Sequence, residues 1–252
     1  MKRILMFVAF MAVMQFVIAQ NDENTSTTKH FNGSIWATNN GISLIPSFNL
    51  GKPAVMFNFS LGGEKLSFDP QFRFSMEGKP WSFILWWRYQ FVNNEKFRFK
   101  IGAHPAFSFK EIDVIKDGAE MEIIRVRRYL AGELSPTFKF SEKISLTPYW
   151  LYAHGVEDDI TQHTNYIALQ SSFSKLALSD KCNLSLTPQV YYLRMDGLQG
   201  VYAASSFTLA KNDFPLSASL MINQKIDSEI AGDDFIWSAS LIYSFNNKYD
   251  KR

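Results

Sequence analysis

Three neighbouring runs, LSFDPQFRFSM (66–76), WSFILWWRYQF (81–91) and KFRFKIGAHPAFSFK (96–110), each carry two unlike faces. Phe68, Phe72 and Phe74 fall on one side of the first run, with Ser67, Asp69, Gln71, Arg73 and Ser75 on the other. In the third run Phe97, Phe99, Ile101, Phe107 and Phe109 stand opposite Lys96, Arg98, Lys100, His104 and Lys110. A side-chain period of two is that of an extended strand. EGKP (77–80) and NNEK (93–96) have the composition of tight turns, so the runs read as consecutive hairpins. Rows of phenylalanine opposite rows of lysine and arginine suit a sheet with hydrocarbon on one side and a wet lumen on the other. The pattern predicts an all-β fold, a transmembrane antiparallel up-and-down β-barrel. The competing fold is a soluble β-sandwich with its Phe rows packed together. Runs of roughly 9–14 residues exceed the ordinary strand of about 5–6 and favour the tilted membrane barrel.

Working outward, the same period predicts about twelve strands, at 42–50, 54–61, 66–76, 81–91, 96–110, 119–141, 144–155, 163–176, 183–195, 200–210, 215–226 and 235–245. The barrel is expected over 41–245, after a polar lead-in at 20–40, in which 31–38 is open as a short strand or a plug-like segment, and before a short periplasmic tail at 246–252. The run 119–141 is long for one strand, with Gly132 or Pro136 as the place for a bulge or bend. An even count puts both ends of the barrel on the periplasmic side. The connections 110–118, 156–162, 196–199 and 227–234 then face outward and are longer than most inner turns. The outer connections hold Glu111, Asp113, Asp117, Glu157, Asp158, Asp159, Asp196, Asp227, Glu229, Asp233 and Asp234 against Lys110 and Lys116. Such acids keep exposed loops soluble, and their hard oxygens could also bridge divalent cations to anionic surface lipid.

Residues 1–19 read as a cleaved signal peptide: Lys2 and Arg3, an apolar run from Ile4 to Ile18, and Val17 and Ala19 before the cut. The apolar run is short for a membrane span. The signal carries two of the 26 Lys+Arg and no acid, so the mature chain is formally neutral and offers no field for nucleic acid. Cys182 is the single cysteine and has no internal partner for a disulfide. Trp81, Trp86, Trp87, Tyr89, Tyr149, Trp150, Tyr152, Tyr191, Tyr192, Trp237 and Tyr243 lie where girdles at the lipid–water boundary are expected.

The last predicted strand carries Ser238, Ser240, Tyr243 and Phe245 at the places where bacterial outer-membrane barrels commonly hold a polar residue, a small residue and two aromatics. This resembles the signal read by the barrel-assembly machinery, with Ser in the usual Gly position and NNKYDKR trailing beyond Phe245. The whole mature chain resembles outer-membrane β-barrels of Gram-negative bacteria. The block GISLIPSFNLGKPAVMFNFSLG (41–62) is similar to functionally uncharacterised barrels of Bacteroidota-type bacteria. The resemblance implies an outer-membrane location, with lipid and the assembly machinery as partners, and implies no substrate.

Three functions compete. The first is a narrow porin-like channel. Arg73, Arg88, Lys96, Arg98, Lys100, Arg125, Arg127 and Lys139 form an expected basic wall, with Asp69 the chief acid on the same faces. Asn165, Ser185, Thr187, Gln189, Ser217, Ser219, Asn223, Ser238 and Ser240 form a neutral wall opposite. A basic lumen favours small anions. The opposed case is a lumen filled with side chains, a structural or accessory barrel through which nothing passes. The last is a lipid-modifying enzyme. HFNGS (30–34) resembles the His-x-Ser-Asn-Gly of barrel phospholipases, but Phe and Asn stand where Ser and its neighbour should be. No nucleophile, base and orienting group come together in the sequence, so no catalytic, cofactor or metal residue is expected. His154 and His163 flank VEDDITQ, and with Asp158 or Asp159 they are the one pair placed like loop ligands.

Overall fold

The computed structural model describes residues 29–116 and 119–249. Twelve strands close into one antiparallel barrel, each paired with its neighbours in the chain and the first with the last. They are β1 (Lys29–Thr38), β2 (Ala54–Gly62), β3 (Leu66–Ser75), β4 (Pro80–Asn93), β5 (Phe97–Lys116), β6 (Ala119–Lys139), β7 (Ile144–Gly155), β8 (His163–Ala177), β9 (Cys182–Met195), β10 (Leu198–Lys211), β11 (Leu216–Ser228) and β12 (Phe235–Tyr249). Lys29 pairs with Tyr249, so both described ends lie at one end of the barrel, here the near end. The turn after β2, and those after β4, β6, β8 and β10, share it. Closure leaves no free sheet edge around the barrel wall.

Alternation sorts the side chains. Phe57, Phe68, Phe72, Phe83 and Phe99 face outward, joined by Ile35, Leu61, Trp87, Leu134, Trp150, Ile167, Leu169, Val190, Leu220, Trp237 and Leu241. An apolar surface on this scale needs a hydrocarbon neighbour. Aromatic contacts knit it across strands: Phe72 with Phe83 at 5.4 Å, Phe83 with Phe109 at 4.9 Å, and Phe91 stacked on Phe99 at 5.8 Å. Glycine admits one such contact. A Cβ on Gly33 of β1 would lie 2.5 Å from the Phe245 ring. Tyr243 and Phe245 thus face outward, whereas Ser238 and Ser240 face the lumen. Ser238 is buried against Thr38 Oγ1 at 2.5 Å.

Four expectations are corrected. The first strand is Lys29–Thr38, inside the expected lead-in, so the barrel begins before residue 41. The stretch 42–50 is part of the β1–β2 connection and holds a short 3-10 turn at Pro46–Phe48. Proline sets that turn and cannot donate to a ladder. The segment 111–118 is mostly no loop: β5 and β6 pair from Phe97–Phe138 to Lys116–Ala119 without a register shift, so neither Gly132 nor Pro136 bulges against β5. Strand β12 runs to Tyr249, into the expected tail. The girdle splits, because adjacent residues on a strand face opposite ways. Trp87, Trp150 and Tyr192 face out, and their neighbours Trp86, Tyr149 and Tyr191 face in. The expected signal peptide, residues 20–28, Asp117 and the last three residues lie outside the described residues.

Candidate functional site in the barrel interior

Three layers fill the interior. The middle one is a charge network. Arg88 on β4 reaches Asp69 on β3 at 3.0 Å and Glu133 on β6 at 2.6 Å. Its guanidinium lies over the Trp86 ring at 4.3 Å, and Trp86 packs on His104 at 4.0 Å between centroids. The Tyr149 hydroxyl donates to Glu133 at 2.5 Å, and Ser60 and Ser67 donate to Asp69 at 2.6 and 3.1 Å. Glu133 is buried, and it fits because its cross-strand neighbour is Gly102, where a Cβ would meet Glu133 Oε1 at 2.8 Å. Each charge in this layer thus has a partner, as burial demands.

The near-end layer is a cavity of about 270 Å³ lined by His30, Ser60, Ser67, Asp69, Arg88 and Lys100, among others. The His30 ring nitrogen meets Ser60 Oγ at 3.0 Å, but Ser60 gives its own proton to Asp69, so the arrangement does not activate a serine.

The far-end layer is a plug made by the β1–β2 connection. Its neck is closed by Gly41 N–H to Lys52 O at 2.9 Å and Leu50 N–H to Gly41 O at 2.8 Å, with Gly51 at φ +77°. Residues 42–49 then enter the mouth. Leu44 and Ile45 pack on the cluster that holds Tyr166, Tyr191, Leu193, Met195, Tyr202 and Ile230, and Phe48, like Ile84, packs on that of Ala106, Tyr129 and Ile160. Three side chains of the wall donate to loop carbonyls: Tyr191 to Leu44 at 3.0 Å, Trp81 to Phe48 at 2.7 Å and Lys110 to Asn49 at 3.0 Å. Trp81 reaches inward because it is the extra residue of a β-bulge: Phe74 pairs with Pro80 and Arg73 with Ser82.

The expected basic wall divides. Arg73, Arg88, Arg98, Lys100 and Arg127 lie on the lumen-facing rows of β3 to β6, and Lys110 joins them. Lys96 sits in the near-end turn and Lys139 at the near rim, where it donates to Asn93 and Asn94. Arg125 lies at the far rim and pairs with Asp159. Among the described residues, no carboxylate lies within ion-pair distance of Arg73, Arg98, Lys100, Lys110 or Arg127. The Nε atoms of Arg73, Arg98 and Arg127 are buried without a protein acceptor, although Arg73 Nη2 donates to Gln71. Of the neutral wall, Asn165 is out of place. It accepts from the outward-facing Trp150, since Thr164 and Tyr166 take the inward places beside it.

Sequence reasoning missed Glu133 and the plug. Glu133, one residue before Leu134 and three after Leu130, does not stand out from a surface acid by itself, but its parity with Arg127 and Lys139 places it on the lumen face. Some far-end acids have cations, whereas Asp113, Asp158, Asp196, Asp227, Glu229 and Asp233 have none within ion-pair distance among the described residues. Glu111 meets Lys52 at 3.4 Å and Lys79 at 2.9 Å, Glu122 meets Lys79, Glu157 meets Arg128 and Asp234 meets Lys225. The lysines beside it hold the Glu111 carboxyl below the ordinary glutamate range, and Glu122 and Glu111 push Lys79 up. His154 meets Gln162 O and His163 meets Tyr152 OH, and Asp159 is taken by Arg125. Among the described residues, no group of three or more His, Cys, Asp or Glu gathers as metal ligands.

No protein-family model matches the chain, and no curated protein does. Among solved structures it is similar to an outer membrane channel from Pseudomonas putida F1, at 10% identity over 89% of this chain and 97% of that one, with a TM-score of 0.49. It is also similar to LpxR from Salmonella typhimurium, at 11% identity over 85% and 100% of the chains and a TM-score of 0.48. The translocator domain of the autotransporter NalP from Neisseria meningitidis matches at 10% identity over 96% and 97%, with a TM-score of 0.44. At these TM-scores none of the likenesses carries a functional argument, and the functional reading rests on the residues themselves.

Proposed function

We propose that this protein is an outer-membrane β-barrel whose narrow cationic lumen passes small anions, with the near end in the periplasm. The signal-peptide pattern at 1–19, the apolar exterior and the outward pair Tyr243 and Phe245 on the closing strand support the location. The apolar exterior takes outer-membrane lipid as its neighbour, and the closing strand takes the barrel-assembly machinery. The observation that carries the channel reading is the uncompensated charge inside: Arg73, Arg98, Lys100, Lys110 and Arg127 face the lumen without carboxylate partners among the described residues. Fixed cations in a wet, narrow passage favour anions and repel cations. Arg88 contributes little, because Asp69 and Glu133 neutralise it.

The test is single-channel recording of the refolded protein across a salt gradient. The expected result is discrete steps with an anion-biased reversal potential, shifted toward cations in Arg98→Glu with Lys100→Glu. An unchanged reversal potential in that conducting variant would overturn the basic-lumen reading. The second reading, a non-conducting accessory barrel, is favoured by the far-mouth plug. A barrel that stays silent after residues 42–49 are removed would establish it over the first.

A further inference from the structure

Loop 42–49 crosses the far mouth from one wall to the other. On the β8–β10 side it is held by apolar contact and by Tyr191. On the β4–β6 side its polar ties are Trp81 and Lys110. The surroundings of Lys110 are unusual. It lies directly opposite Arg125, and Arg127, opposite Ser108, is its diagonal neighbour on the same face. Asp159 answers Arg125 and Glu157 answers Arg128. Among the described residues no acid lies within ion-pair distance of Lys110 or Arg127, although Asp159 is near enough to feel Arg127, and Arg127 Nε is buried without an acceptor. Lys110 instead donates to the neutral carbonyl of Asn49 at 3.0 Å.

Two neighbouring cations under a loop, one unmet and one met only by a peptide oxygen, are unfavourable until an anion joins them. A charged oxygen is also a stronger acceptor for a lysine than a neutral carbonyl. We propose that Lys110 and Arg127 form a binding site for a small oxyanion, a phosphate or carboxylate group, at the far mouth, and that its occupation releases loop 42–49 from the lumen. The anion claims Lys110, Asn49 loses its donor, and the loop swings on Gly41 and Gly51 at its neck. The ammonium keeps two donors beside its Asn49 bond, so release comes from the movement of Lys110 toward an anion held on Arg127, and the ligand favours the released state because only there does Lys110 turn all its donors to it. The inference gives the proposed channel its regulation and draws its purpose from that reading, but the site and the release do not require conduction.

The test reads the loop directly. Ile45→Cys is placed in a Cys182→Ser background, in the refolded full barrel, and its maleimide labelling rate is followed. Ile45 packs on the tyrosine cluster, so labelling reports release. Inorganic phosphate is compared with sodium chloride of equal ionic strength, which controls for screening. The expected result is a rate about tenfold higher in phosphate, within the usual span of coupling between sites. Arg127→Gln, with its own rate in sodium chloride as the reference, should lose the phosphate response. Leu44→Cys in the same background should repeat the pattern and guards against a loop loosened by the first cysteine. A phosphate-insensitive rate, or a response that survives Arg127→Gln, overturns the proposal. A silent barrel with phosphate-dependent labelling would overturn the channel reading and leave this one standing.

Discussion

At the residue scale, the decisive positions are those where parity and charge are set against each other. Phe99 lies on the outer face, stacked on Phe91, with Arg98 and Lys100 turned inward beside it. Phe99 stands close to the near rim, so the mid-bilayer test falls on Leu169, outward in the middle of β8: Leu169→Arg should cost about 2–4 kcal/mol, whereas a cation beside Phe99 is native. Urea titration of folding into lipid vesicles reads this, and normal heat-modifiable folding of the variant would contradict the face assignment. Glu133 is the converse case, an acid that belongs inside. Glu133→Gln leaves Arg88 with only Asp69, and removing one partner of a buried pair typically costs about 3–5 kcal/mol. Adding Arg88→Gln should recover much of that loss, because the stranded charge goes with it. A double variant no more stable than Glu133→Gln alone would show that the network is held by something other than charge compensation.

At the element scale, the far-end extensions are tied by ions rather than by sheet. Beyond Ser108 and Tyr129, β5 and β6 pair with each other and with no third strand. Lys79 in the β3–β4 turn meets Glu111 and Glu122 of this ribbon, and Lys52 of the plug's stem meets Glu77 and Glu111. The Glu111 carboxyl is lowered by Lys79 and Lys52. A lowered carboxyl contributes stability that is fully present above its ordinary pKa of about 4.3 and is lost as pH falls through the lowered value. Lys79 is raised, so its contribution is present below its ordinary pKa and is lost only as pH rises through the raised one. The tie therefore spans neutral pH and loosens in acid. Carbon-detected NMR of the Glu111 carboxyl should give a midpoint below the ordinary glutamate range, returning toward it in Lys79→Met. A midpoint that Lys79→Met does not move would assign the shift elsewhere. These pairs are exposed, so added salt should weaken them as well.

At the scale of the whole molecule, the barrel was legible because its rule is repeated: eleven of the strands carry a period strong enough to read. The first is not so marked. KHFNGSIWAT mixes Asn32, Gly33 and Ser34 into its middle, and its outward glycine exists to seat Phe245 from the far end of the chain. No local pattern announces that contact. ISLIPSFNL has the alternation of a strand and is a plug, because its apolar residues find their partners in the lumen tyrosines, which parity also conceals. The count of twelve survives the exchange of one segment for the other, and so do the positions of the interior cations, which depend on parity within β3 to β6. Plug and selectivity are therefore separable. Arg98 and Lys100 lie toward the near end, away from the carbonyls that hold Trp81, Lys110 and Tyr191. Replacing residues 42–49 by a short glycine link between Gly41 and Leu50 should raise single-channel conductance several-fold, because the loop's apolar side chains no longer obstruct the mouth, while the reversal potential stays anion-biased. If conductance rises and the anion bias disappears, the plug rather than the basic wall sets selectivity, and the fixed charges of β3 to β6 serve the fold instead.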